Sequence, residues 1–173
     1  MQKTKRKNIL FTGPPGCGKS TLIEKIALKI KWPITGFITK EIRDRGQRVG
    51  FSINSLDGRK GVLAHKNIKS PYRVGKYGVS LEDIKQVAVP SMIPASEDMT
   101  VVIDEIGKME CFSSLFRVTV LEVLESKNPV LGTLPLKGGS FIEKIRKRKD
   151  ILLVGVSEKN RDGLAHEFLR DRG

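Results

Sequence analysis

Residues 13–21 read GPPGCGKST. A short apolar run, NILFT (8–12), precedes them, and STLIEKIALKIKWP (20–33) follows, with Leu22, Ile23, Ile26, Ala27 and Ile30 at helical spacing until Pro33 ends the pattern. Strand, glycine-rich turn and helix are therefore expected in immediate succession. Gly13, Gly18, Lys19 and Ser20 meet the spacing G-x-x-x-x-G-K-[ST]. Glycines at such places let successive backbone N–H groups converge on one point, toward which the positive end of the next helix also aims. That geometry suits a phosphate, and Gly13, Pro14, Pro15, Gly16, Cys17, Gly18, Lys19, Ser20 and Thr21 are the expected binding residues. The Lys19 ammonium would reach β- and γ-phosphates, and the Ser20 hydroxyl would ligate Mg2+. A glycine-rich turn that only caps a helix is the plainer alternative.

A second stretch, VVIDEIGKMEC (101–111), runs an apolar strand straight into Asp104 and Glu105, with Glu110 five positions on. Buried carboxylates are costly unless a cation or a set of donors meets them. In a parallel α/β sheet, ligands collect beyond the carboxyl ends of the strands, so the ends of NILFT and TVVID should face one crevice. Asp104 would then hold Mg2+ through its water shell, with Lys19 as the other positive partner. Glu105, adjacent on an alternating strand end, would orient a water or an acceptor hydroxyl toward the γ-phosphorus, making Glu105 and Lys19 the catalytic candidates. A surface ion pair is the alternative for Glu105, and Glu110 reads equally well as an exposed turn residue.

Between these motifs the period changes to two. Val49, Phe51 and Ile53 alternate with Gly50 and Ser52, and DRGQ (44–47) and LDGRKG (56–61) turn the chain, which predicts an antiparallel meander. SPYRVGKYGVS (70–80) reads as irregular, and Ser80 with Glu82 and Asp83 opens a short helix through about Val87. After residue 100, apolar strands alternate with amphipathic helices, the pattern of a parallel sheet covered on both faces. The expected class is α/β in one domain spanning residues 1–173, a length sufficient for one core.

No apolar run reaches the length of a membrane span and no secretory leader is evident, so a cytoplasmic protein is expected. Cys17 and Cys111 share no metal-ligand spacing and read as reduced and structural. The formal net charge of +13 comes from 32 basic and 19 acidic side chains, concentrated in KTKRK (3–7) and IRKRKD (145–150). Such a surplus attracts polyanions, although no nucleic-acid module or aromatic platform accompanies it and a solvated lysine-rich surface explains it too. Arg43, Arg48, Lys108, Arg117 and Arg161 are unranked candidates for neutralising transition-state charge. His65 and His166 lack a partner pattern, and NRD (160–162) has the wrong spacing for guanine selection.

GPPGCGKSTLI, GFITKEIRDRGQRVGF, SPYRVGKYGV, DEIGKMEC and VSEKNRD, in this order, resemble the blocks of the small nucleoside-triphosphatase family known from thermophiles and as cancer-related NTPases. The resemblance covers nearly the whole chain, and DEIGKME is its most specific part. It implies a RecA-like P-loop fold and Mg2+-dependent hydrolysis of ATP, GTP and other nucleoside triphosphates to diphosphate and phosphate, with Lys19, Ser20, Asp104 and Glu105 in the roles above. With no arginine finger identified, slow turnover of ~10⁻⁴ to 10⁻² s⁻¹ is expected. Two other readings stay open. One is phosphoryl transfer to a nucleoside, nucleotide or other small acceptor, with residues 60–76 as a lid; the other is an ATP-regulated module binding nucleic acid or another partner. The sequence leaves the oligomeric state open.

Overall fold

The computed structural model describes residues 6–172; the start of the basic KTKRK segment and the last residue lie outside them. Its centre is a nine-stranded sheet. Strands β1 (Asn8–Gly13), β7 (Thr100–Ile103), β8 (Val130–Pro135) and β9 (Ile151–Gly155) run parallel with the first part of β2 (Ile34–Asp44) in the order β2-β7-β8-β1-β9. Side chains of these strands alternate between two cores, as a doubly covered sheet requires. Ile9, Phe11, Val102 and Leu131 pack under α1 (Lys19–Lys29) and α6 (Arg161–Arg172). Leu10, Phe37, Val101, Ile103 and Val130 pack on the other face, with α4 (Ser114–Glu125) and α5 (Ser140–Arg146). The α/β class, the mainly parallel sheet and the helices on both faces agree with expectation.

The expected meander is also present, and it reaches further than the sequence pattern suggests. β3 (Gln47–Ser55) pairs antiparallel with β2, and β4 (Lys60–His65) pairs antiparallel with β3. The parallel partner of β2 ends where Ile103 faces Phe37, yet β2 continues to Asp44. At about 3.3 Å per residue, the β2–β3 ribbon projects roughly 20 Å past the carboxyl edge of the parallel strands. It stands as a wall beside whatever lies at that edge.

Two local expectations need correction. Residues 70–80 are not irregular: β5 (Arg73–Val74) and β6 (Tyr77–Val79) form a two-residue-turn hairpin that completes the edge of the sheet. Gly75 supplies the left-handed turn conformation at φ +55°, and the buried Tyr77 ring anchors the hairpin edge-on to Phe51 at 5.4 Å. The helix opened by Ser80, whose hydroxyl accepts the Asp83 N–H at 3.2 Å, also runs past Val87. It passes from α2 (Leu81–Asp83) through a wide π-helical stretch (Ile84–Ala88) into α3 (Val89–Ser91). Buried Ile84, Ala88 and Met92 hold it on the core, so tertiary packing carries the helix through Pro90.

Candidate functional site

The turn after β1 follows from its glycines. Gly18 caps α1 at φ +100°, a conformation in which a side chain would be strained, and a Cβ at Gly13 would stand 2.4 Å from the Val156 carbonyl. The loop closes with the Cys17 N–H donating to Pro14 O at 3.2 Å, and α1 begins with no acid in its first turn to neutralise its positive end. Lys19 arches back over the loop, its Nζ donating to Gly13 O at 3.0 Å and Pro14 O at 3.4 Å. Cys17 is buried in the core beneath the loop. The backbone of the loop is thus held from below while its outer face stays open to a ligand.

The buried strand β7 ends at this same edge. Asp104, with no exposed surface, accepts the Ser20 hydroxyl at 3.0 Å and the Thr133 hydroxyl at 2.7 Å, both on Oδ1. Its Oδ2 is buried without a hydrogen-bond partner. Burial pushes the Asp104 carboxyl up, opposed by the Thr133 and Ser20 hydroxyls and then by the Thr39 backbone N–H and the Lys19 charge, although no donor reaches Oδ2 with hydrogen-bond geometry. A buried carboxylate oxygen without a donor, beside a serine hydroxyl and a phosphate loop, suits a hydrated divalent cation. Among the described residues no group of three or more His, Cys, Asp or Glu side chains forms a metal cage. Mg2+ does not require one, because it keeps several waters and takes its other ligands from phosphate.

Glu105, joined to Asp104 by a cis peptide bond, lines the cleft beside Lys19, Ser20 and Gly13. Burial pushes its carboxyl up to about 7, with the Lys19 charge pulling down and Asp104 pushing up. Behind it lies Gly107, where a Cβ would stand 2.8 Å from Glu105 Oε1 and 2.7 Å from Glu110 Oε2. Glu110 is therefore not an exposed turn residue: it is buried, and burial with the neighbouring Glu105 charge pushes its carboxyl well above the usual range. Thr133 is not singled out from sequence, although a hydroxyl inside the apolar run PVLGTL is the signal that could find it.

The cleft, of about 830 Å3, continues from the loop along the β2–β3 wall. Thr39, Lys40 and Glu41 of β2, and Arg48 and Phe51 of β3, line it opposite Pro135, Leu136 and Lys137. The arginine candidates separate accordingly. Arg48 faces the cleft, with its guanidinium 5.1 Å from the Phe51 ring centroid and Nη1 2.9 Å from Glu41 Oε1; Arg43 pairs with Glu41 Oε2 at 2.6 Å. Arg117 donates to Cys111 O and Lys108 is exposed, and neither lines the cleft. Arg161 abuts the loop from the other side, its Nη1 donating to Cys17 O at 3.5 Å. His65 accepts the Asn67 N–H at 3.1 Å and His166 is exposed on α6, so neither joins the site. Burial pushes the Cys111 thiol up to about 12, which disfavours its thiolate. Among the described residues no helix is long and apolar enough to cross a membrane.

Comparison with known proteins places the chain in a family. The sequence pattern of the NTPase family matches residues 8–169. The chain is 43% identical to nucleoside-triphosphatase THEP1 of Thermotoga sp. (strain RQ2), covering 93% of this chain and 92% of that one. It is 38% identical to the Homo sapiens cancer-related nucleoside-triphosphatase over 94% of this chain and 95% of the relative. The crystal structure of THEP1 from Aquifex aeolicus superposes with a TM-score of 0.85 at 32% identity, covering 94% and 97% of the two chains. The solution structure of the human protein gives 0.81 at 36%, covering 95% and 96%. The family match spans residues 8–169 and the relatives are covered over nine-tenths of their length or more, so the chain belongs to the NTPase family.

Proposed function

We propose that the chain is a cytoplasmic, Mg2+-dependent nucleoside-triphosphatase that hydrolyses ATP, GTP and other nucleoside triphosphates to diphosphate and phosphate with broad base tolerance. The observation that carries the reading is the 3.0 Å contact of Ser20 with Asp104, which brings the phosphate loop and the acids after β7 to one point. The names of the relatives, nucleoside-triphosphatases without a stated base, agree with it.

In this reading the loop amides and Lys19 bind the β- and γ-phosphates, Lys19 exchanging the carbonyls of Gly13 and Pro14 for phosphate oxygens. Ser20 and Asp104 would hold Mg2+, which when bound would supply positive charge to the triphosphate. Glu105 orients a water and takes its proton as the water oxygen bonds to the γ-phosphorus. The bond from phosphorus to the β–γ bridging oxygen breaks, and the diphosphate leaves with that electron pair, its charge met by Lys19 and the loop amides. Phosphate release from ATP, GTP, CTP and UTP by wild type, Lys19→Ala and Glu105→Gln tests the assignment. Glu105→Gln is expected to lose roughly 10²–10⁴-fold in rate while still binding nucleotide. Near-normal hydrolysis by that variant removes Glu105 from its role.

The cleft supports a second reading. It runs beyond Glu105 to Phe51 and Arg48, which leaves room for an acceptor beside a terminal phosphate. Transfer to a hydroxyl acceptor would use the same residues, with Glu105 taking the acceptor proton. Phosphorylated product formed faster than free phosphate, with nucleosides and nucleoside monophosphates as acceptors, would place transfer ahead of hydrolysis.

A further inference from the structure

Gly18 and Arg161 meet on the outer side of the phosphate loop. A Cβ at Gly18 would stand 2.8 Å from both Cδ and Nη1 of Arg161 and 3.5 Å from its Cζ. The half-buried guanidinium occupies the space that a side chain at residue 18 would fill, and its bond to Cys17 O at 3.5 Å keeps it there.

Sheet order fixes what Arg161 faces. β1 lies between β8 and β9. Asp104 and Glu105 follow β7 and Thr133 belongs to β8, so these groups lie on one side of the loop. Arg161 follows β9 and lies on the other. A triphosphate whose terminal group meets Lys19, Ser20 and Glu105 on the first side, and whose chain crosses the start of α1, would bring its nucleoside to the Arg161 side.

The same loop carries Asn160, the residue type best suited to read a base edge, but its amide is engaged. Its Oδ1 accepts the Ser157 N–H at 2.8 Å and its Nδ2 donates to Gly155 O at 3.0 Å. A guanidinium, planar and weakly hydrated, stacks on any aromatic face, and every base has one. The geometry points to Arg161 as the shelf on which the base stacks, so that purines and pyrimidines are gripped by face and not by edge. The inference rests on the nucleoside-triphosphate reading of the loop given above and supplies a physical cause for base tolerance. Sites that hydrogen-bond a substrate group reject analogues lacking it, and stacking has no such penalty.

The test is binding of the β,γ-imido analogues of ATP, GTP, CTP and UTP, and of tripolyphosphate, all as magnesium salts, to wild type, Arg161→Ala and Arg161→Lys. Arg161→Ala is expected to weaken all four nucleotides about 5- to 30-fold and tripolyphosphate by less than about 2-fold. Arg161→Lys, which keeps the charge without the planar face, should weaken the nucleotides similarly; it carries the test alone if the alanine variant does not fold. Equal losses for nucleotides and tripolyphosphate, or full rescue by lysine, would show the side chain acting on phosphate and overturn the inference. Unchanged nucleotide binding, or a loss confined to one base, overturns it as well. Wild type that binds neither tripolyphosphate nor any analogue refutes the phosphate-loop reading itself, and this inference with it.

Discussion

Thr133 on β8 donates its hydroxyl to Asp104 at 2.7 Å, so the carboxylate that follows one buried strand is oriented by its neighbour in the sheet. The bond leaves the second carboxylate oxygen without a partner, directed by elements that belong to the rigid core. Thr133→Val keeps the shape and removes the donor. It is expected to weaken the apparent Mg2+ affinity in a phosphate-release assay by about 10- to 100-fold, the usual cost of losing a group that orients a metal ligand. An unchanged Mg2+ titration would show that Ser20 alone suffices.

The carboxyls of Glu105 and Glu110 both occupy the space that a side chain at Gly107 would need. Gly107→Ala forces at least one of them to move, which is expected to lower turnover about tenfold or more and to cost about 1–3 kcal/mol of stability. Paired rate and urea-denaturation measurements separate the two effects.

Glu110 gives a pH-dependent signature. Its folded value lies well above the usual 4.5, so the folded state holds the proton longer than the unfolded chain does. Stability is therefore lost as pH rises from the unfolded value through the folded one. Glu110→Gln is expected to raise the melting temperature near about pH 8 and to leave it little changed near about pH 4, because the unfolded carboxyl is then largely protonated as well.

Asp150 gives the opposite sign. Arg148 grips it with two bonds of 2.9 Å, and the buried Asn8 amide donates to it at 3.2 Å. The Arg148 bonds hold its carboxyl below the usual 3.8, so its contribution is present above that value and is lost as pH falls through the folded one. Because the pair is partly exposed, Asp150→Asn should cost about 1 kcal/mol or less at neutral pH, a difference that vanishes in acid.

The parts of the site legible in the sequence were those in which backbone geometry dictates residue type. The glycines and Lys19 follow from folding a loop around an anion, and Asp104 and Glu105 from ending a buried strand in charge. The alternation of Val49, Phe51 and Ile53 revealed β3, but nothing in that period told how far β2 would outrun β7, because overhang depends on the partner's length. Residues 70–80 were misread because glycine and proline content outweighed the turn signal of Gly75 and Lys76 between Val74 and Tyr77. The burial of Glu110 is a tertiary outcome, set by how the segment after β7 turns, with the Cys111 N–H donating to Gly107 O. The basic surplus was legible as charge but not as use: Arg148 is tied to Asp150 and Glu125, and Arg146 to Glu143 and the Pro135 carbonyl.

The β2–β3 ribbon ends in Arg45 and Gly46, well beyond the last parallel partner of β2. Inserting or deleting residues in matched pairs at that tip would raise or lower the rim of the cleft while the strand order and the anion cradle stay as they are. Proteins built on this plan can therefore alter how solvent or a second molecule gains entry by editing one turn, a change that evolution can make without reopening the core.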